Sequence, residues 1–166
     1  MILAYAGRRA ASLGGASDRV AERIRRLIAA LRPSAIVGAA ADGADLLILE
    51  AALAAADGPA VHVVLPTARE VFVDDSVEEA WRARFEAVLD EVTDRGGTIR
   101  SLDREPGEAA YQAANQAFLD AAGELAVDGD VAVLVVAHEG EGQMIEDLLA
   151  RARERGIPSR RIDPTL

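Results

Sequence analysis

The chain has 166 residues, of which 51% are hydrophobic and 28% charged, and it carries a net charge of −10. That suffices for one globular domain with a sizeable core. There is no cysteine, and all 18 basic residues are Arg; this excludes disulfides, zinc–thiolate sites, thiol catalysis, lysine Schiff-base chemistry and a Walker phosphate loop. With only His62 and His138, a metal site is not expected. The negative charge argues against a nucleic-acid partner, which needs a basic surface. No apolar run reaches the length of a membrane span, and no basic segment precedes an apolar one at the N-terminus. Neither a membrane partner nor a signal peptide is expected, and the expected location is the cytoplasm.

Short apolar runs alternate with helical periods. Ile2 to Ala6 reads as a strand ended by Gly7. Val20, Ile24, Leu27, Ile28 and Leu31 then form one helix face, stopped by Pro33. Ala35 to Val37 is a second strand, ended by Gly38. Asp42 to Ala56 reads as a helix that is apolar all round at Leu46 to Leu49, and so sandwiched. Val61 to Leu65 is a third strand, and Pro66 to Ser76 is the longest irregular piece. Val77, Trp81, Phe85, Val88, Leu89 and Val92 mark a long amphipathic helix, with Trp81 and Phe85 in its core face. Thr98 to Leu102 reads as a polar edge strand. Tyr111, Ala114, Phe118, Leu119 and Ala122 mark the next helix, Val131 to Ala137 the strongest strand, and Ile145, Leu148, Leu149 and Ala152 the last helix. Ser159 to Ile162 closes the chain as a sixth strand. Six strands alternating with five helices predict an α/β Rossmann-like sandwich with a mostly parallel sheet in the order 4-3-2-1-5-6. No internal repeat or linker divides residues 1–166.

In such a sheet, ligands bind beyond the carboxyl ends of the strands, where the order reverses, here between strands 1 and 5. After strand 1 come Gly7, Arg8 and Arg9: an anion clamp in which either Arg points inward, or two solvated arginines. After strand 2 comes a small-residue loop, Gly38 to Asp45, leading into a helix. Its Gly38, Asp42 and Gly43 read as an anion site at a helix N-terminus, or as close packing with Asp42 as the N-cap. Thr67, after strand 3, caps the next segment or touches a ligand. After strand 5, Gly140 and Gly142 precede a helix, and Glu146 falls near its start. That carboxylate suits ribose hydroxyls or a developing positive charge, or simply the helix dipole. His138 is an acid–base candidate by pKa or a structural residue, and His62 is structural. Asn115 is out of place on an apolar stripe beside Tyr111 and reads as reaching the pocket.

Together these segments resemble the SLOG superfamily, the Rossmann-like group that includes LOG-type cytokinin-activating enzymes and the DNA-processing protein A family, in a single-domain branch. That group has a loop of the form P-G-G-x-G-T-x-x-E. Here the stretch is His138-Glu139-Gly140-Glu141-Gly142-Gln143-Met144-Ile145-Glu146, so Gly140, Gly142 and Glu146 fall on motif positions and Gln143 replaces the Thr. The loop Gly38 to Asp45 matches in position, as does Ala6-Gly7-Arg8, and Phe72 to Phe85, with Asp75-Ser76 before Trp81, resembles the single-domain branch.

The resemblance implies a pocket for a nucleotide or nucleotide-derived ligand. The expected function is binding of such a molecule as a sensor or carrier, with no cofactor, in a chain expected to form a homodimer. The alternative is a hydrolase of the N-glycosidic bond of a nucleoside monophosphate, with Glu146 as the catalytic carboxylate. The hydrolases carry an Arg-containing motif on the helix before the Gly-rich strand, whereas Glu108 to Glu124 contains no Arg. A third reading is an interaction protein with a vestigial site.

Overall fold

The period-two pattern of the strands assigns the layers. In β1 (Ile2–Gly7), Leu3 and Tyr5 are buried in one hydrophobic layer, and Ile2 and Ala4 in another. The computed structural model describes residues 1–166, and in it β1, β2 (Ala35–Gly38), β3 (Ala60–Leu65), β4 (Thr98–Ser101), β5 (Val131–Val136) and β6 (Ser159–Ile162) form one wholly parallel sheet in the order β4-β3-β2-β1-β5-β6. The predicted order is the observed one. β1 and β5 pair over their full length, from Ile2 opposite Val131 to Gly7 opposite Val136. The two edge strands expose Thr98, Arg100, Ser159 and Arg160, polar side chains that discourage pairing with another sheet.

The helices are α1 (Ala10–Leu13), α2 (Ser17–Leu31), α3 (Ala44–Ala54), α4 (Arg69–Ser76), α5 (Arg82–Asp94), α6 (Glu108–Leu125) and α7 (Gln143–Glu154). α2, α3, α4 and α5 pack with Leu3, Tyr5, Ile36, Val63 and Leu134 on one face, and α6 and α7 pack with Ala4, Val37, Val133 and Val135 on the other. Right-handed crossovers require this division. The chain steps from β1 out to β4 along one face, then returns beyond β1 to β5 and β6 along the opposite face. β1 and β5 therefore send their following loops apart, which opens a crevice at the carboxyl edge between them. α3 is the buried helix that its all-round apolar composition predicts: nine of its eleven residues are buried. No helix is long and apolar enough to cross a membrane.

Three predicted boundaries differ from the structure, and the short α1 has no predicted counterpart. The helix expected from Val77 begins at Arg82, because Val77 is extended and Glu79 to Trp81 form a 3-10 turn in which Trp81 is only half-buried. The segment expected to be irregular, Pro66 to Ser76, contains α4, whose only buried residues are Phe72 and Ser76. An eight-residue helix with so narrow an apolar stripe leaves almost no periodic signal; it is held by Phe72, which lies 6.2 Å from the Phe85 ring. The third helix begins at Ala44 rather than Asp42, because Gly43 takes φ +86°. There its missing side chain admits the Arg8 carbonyl, which would lie 2.7 Å from an added Cβ.

Gly38 ends β2 for a similar reason. The Tyr5 ring fills the space beside it, 2.5 Å from where a Cβ would stand, and the Tyr5 hydroxyl donates to the Ala39 carbonyl at 2.6 Å. Gly38→Ala is expected to cost roughly 1–3 kcal/mol by overpacking against a ring that cannot rotate away. Denaturant unfolding of the variant checks this, and unchanged stability would contradict it.

Candidate functional site

The crevice between β1 and β5 is a cavity of about 360 Å³. Ala6 and Gly7 at the end of β1, and Arg8 and Arg9 after it, line one side; Ala39, Ala41 and Asp45 come from the loop after β2 and the start of α3. Phe72, Asp75 and Ser76 come from α4, Tyr111, Ala114, Asn115 and Phe118 from α6, and Gly142 to Ile145 from the start of α7. The expected convergence on the carboxyl edge of Gly7, both arginines, Gly142, Gln143 and Asn115 is what the geometry gives.

Arg8 and Arg9 separate into different roles. Arg9 donates through Nε and Nη2 to the two oxygens of Asp42, each at 2.9 Å, and through Nη1 to the Asp75 carbonyl at 3.1 Å. The Asp42 side chain has no solvent exposure, and its oxygens also accept the backbone N–H of Ala10 at 2.8 Å and of Glu78 at 2.7 Å. Burial pushes the Asp42 carboxyl up, but the hydrogen bonds from Arg9, Ala10 and Glu78 outweigh it and hold the group below its usual range. The same bond to Asp42 raises Arg9. Asp42 is therefore neither a helix cap nor a cavity-lining residue. Arg8 makes one side-chain hydrogen bond, from Nη2 to Ser12 Oγ at 3.0 Å, and its Nε is buried without a partner in the protein. Its Nη1 would lie 3.0 Å from a Cβ at Gly142, a residue with φ +89°. A glycine there leaves the guanidinium room against the start of α7.

Asp45 is the residue that the sequence reading passed over. It is 6% exposed and lines the cavity. Its Oδ2 accepts the Ala41 N–H at 3.2 Å, while Oδ1 is buried and unpartnered. Burial, reinforced by the nearby Asp42 charge, pushes its carboxyl up to about 7. A signal for it existed: an acidic residue opening a helix that is apolar all round has no polar face on which to lie. Across the cavity, Tyr111 and Ser76 share a hydroxyl–hydroxyl hydrogen bond, and burial raises the Tyr111 phenol.

Other expected residues lie elsewhere or act differently. Glu146 does not line the cavity; its carboxylate stands 3.6 Å from Arg161 of β6. Gln143 to Ile145 face the cavity, and the next step of about 100° around the helix carries Glu146 to the β6 side. The expected anion site in the loop Gly38 to Asp45 is also closed by its own fold. Ala41 N–H donates to Asp45, Asp42 N–H to the Ser76 carbonyl at 2.9 Å, and Ala44 N–H to the Arg8 carbonyl at 3.1 Å. Gly38 serves Tyr5 and Gly43 serves the Arg8 backbone. Thr67 is buried outside the cavity, its carbonyl accepting from Ser101 at 2.7 Å. Gly140 bears φ +77° in an exposed turn, also outside it. Asn115 lines the cavity, but its amide nitrogen donates to the Met144 carbonyl at 2.9 Å and to Asp147 at 3.0 Å, which fixes α7 to α6. Gln143 donates to Glu108 at 2.8 Å. His138 pairs with Asp163 at 2.9 Å, and His62 bonds Thr98 at 2.8 Å.

Two outcomes follow. Asp42→Ala is expected to destabilise the fold by on the order of 3 kcal/mol, because it strands two backbone donors and one arginine at once; chemical unfolding measures it, and a loss below a few tenths would contradict the role. Asp45 gives a pH signature. Its carboxyl titrates near 7 in the folded chain, against 3.8 for an ordinary Asp. Between those values the folded protein holds a proton that the unfolded chain has released, so stability falls as pH rises through that window. The loss is roughly 4 kcal/mol at about 1.36 kcal/mol per unit. Asp45→Asn should remove that slope and be more stable than wild type at pH 8; parallel stability–pH profiles would contradict it.

No protein family matches the chain, and no curated protein does. A solved structure similar to it is that of DNA processing protein A (DprA) from Streptococcus pneumoniae, with 17% sequence identity and a TM-score of 0.49. The alignment covers 95% of this chain and 57% of that one, so the chain spans a little over half the length of that protein.

Proposed function

We propose that residues 1–166 act as one domain that binds a nucleotide or nucleotide-derived small molecule in the β1–β5 cavity, as a sensor or carrier. The observation that carries this reading is Arg8, a cavity-lining guanidinium that pairs with no carboxylate and keeps a buried Nε–H without an acceptor. It stands against Gly142, where the twelve-residue helix α7 begins. A guanidinium and the positive end of a helix dipole favour the same thing, a phosphate or carboxylate. The cavity's other walls are mostly apolar (Ala39, Phe72, Ala114 and Phe118) and suit a flat or carbon-rich body.

The likeness of Ala6-Gly7-Arg8 and of Gly140 to Glu146 to SLOG motifs points to the same ligand class. It also supplies the hydrolase alternative, but that alternative relied on Glu146, which is turned to Arg161. Binding without glycosidic cleavage is therefore the reading preferred.

Adenosine 5′-monophosphate is a direct probe. Arg8→Gln is expected to weaken its binding by about 1.5–3 kcal/mol, the scale of a hydrogen bond to a charged group. Glu146→Gln is expected to leave affinity unchanged, and incubation of the wild type with the nucleotide to release no adenine. Calorimetric titration and chromatography of the products read these outcomes. Equal affinity in wild type and Arg8→Gln would remove the support for this reading.

A further inference from the structure

Arg8 accounts for an anion and leaves Asp45 without a role. A buried polar atom with no hydrogen bond costs about 1–3 kcal/mol, more when it is charged, and native proteins keep few of them. Asp45 Oδ1 is such an atom, on a side chain 94% buried that lines the cavity. The titratable groups that act on it are otherwise engaged. The Tyr5 hydroxyl, from β1, donates to the Ala39 carbonyl. Asp42 and Arg9 are closed on each other. The Tyr111 hydroxyl, from α6, is bonded to Ser76. None of them hydrogen-bonds Oδ1; the Gly7 backbone N–H lies near enough to favour the ionised carboxyl but makes no hydrogen bond to Oδ1, which leaves that oxygen open to a group entering the cavity.

The chemistry of that partner follows from the same surroundings. Oδ2 already accepts an amide N–H. The carboxyl also lies in the first turn of α3, where the helix dipole favours the ionised form. Burial and Asp42 oppose ionisation, and a donor from the ligand offsets that opposition. An acceptor from the ligand would instead require the proton to stay on. We propose that Asp45 is the specificity-determining residue of this cavity, accepting a hydrogen bond from a hydroxyl or amino group of a small anionic ligand whose charged end lies at Arg8. The inference rests on the nucleotide-site reading and narrows it: an anion alone is a poor ligand, and the ligand carries a donor at a second point. In a nucleotide that donor is a ribose hydroxyl or the exocyclic amine of the base.

Four probes separate these sources: inorganic phosphate, ribose 5-phosphate, inosine 5′-monophosphate and adenosine 5′-monophosphate, titrated calorimetrically into the wild type and Asp45→Asn at pH 6 and pH 8. Asp45→Asn is expected to lose about tenfold or more in affinity for adenosine 5′-monophosphate, the equivalent of one hydrogen bond to a charged group, with phosphate binding unchanged. The ratio of wild-type to variant affinity should grow from pH 6 to pH 8 as the carboxyl ionises; taking the ratio cancels the titration of the phosphate itself. Retained discrimination by ribose 5-phosphate assigns the donor to the sugar, and loss with inosine 5′-monophosphate assigns it to the amine; either supports the proposal. Asp45→Ser, with its smaller neutral side chain, serves as the second variant and should show the same loss. Equal affinity for adenosine 5′-monophosphate in the wild type and both variants overturns the inference and leaves the nucleotide site standing. Absence of binding by all four probes overturns both.

Discussion

The buried carboxylate of Asp42 holds the carboxyl edge of this sheet together. It accepts two hydrogen bonds from Arg9 and one each from the backbone of Ala10 and Glu78. Its own N–H reaches the Ser76 carbonyl. One residue thus ties the loop after β1, the loop after β2 and the start of the α4–α5 connection at Ser76 and Glu78. The contacts are charge-assisted and mostly shielded from solvent, the setting in which such bonds are strong and in which losing a partner is most costly. Gly43 follows directly, and its positive φ brings the Arg8 carbonyl onto Ala44 N–H. The rim of the cavity is therefore braced before any ligand is considered.

That brace divides four charged groups into two kinds. Arg9 and Asp42 satisfy each other, and their charges are shifted toward permanence: the acid lowered, the base raised. Arg8 and Asp45 line the cavity with a polar atom each that nothing in the protein satisfies. The first pair braces the cavity, and the second leaves a polar atom each unpaired in its wall. The same division explains why the loop after β2 is a poor phosphate cradle despite its small residues. Its amides serve Asp45, Ser76 and Arg8, so the small residues there serve close packing against Tyr5 and the Arg8 backbone.

The sheet was legible because each of the four inner strands is a short apolar run bounded by Gly, Pro or Asp, and because right-handed crossovers leave few ways to connect them with two polar edge strands. The cavity's location followed from the strand order. The side chains within it were less legible. Arg8 and Arg9 are neighbours in sequence, and what separates them is a carboxylate more than thirty positions away. Glu146 sits at a motif position, yet one residue of helix rotation decides between the cavity and Arg161. α4 escaped notice because one phenylalanine and one serine make no period. Asp45 was readable in principle, from an acidic side chain at the head of a helix with no polar face.

If the cavity binds as proposed, Arg8 and not its neighbour meets the ligand. Arginine Nε–H signals report this directly by 15N NMR, with each of the two resonances assigned from the Arg8→Gln and Arg9→Gln variants. On titration with adenosine 5′-monophosphate, the Arg8 Nε–H signal is predicted to shift and to become protected from solvent exchange as it gains an acceptor, while the Arg9 signal, already bonded to Asp42, stays in place. A shift at Arg9 with Arg8 unmoved, or no shift at either under saturating nucleotide, would contradict this role of Arg8.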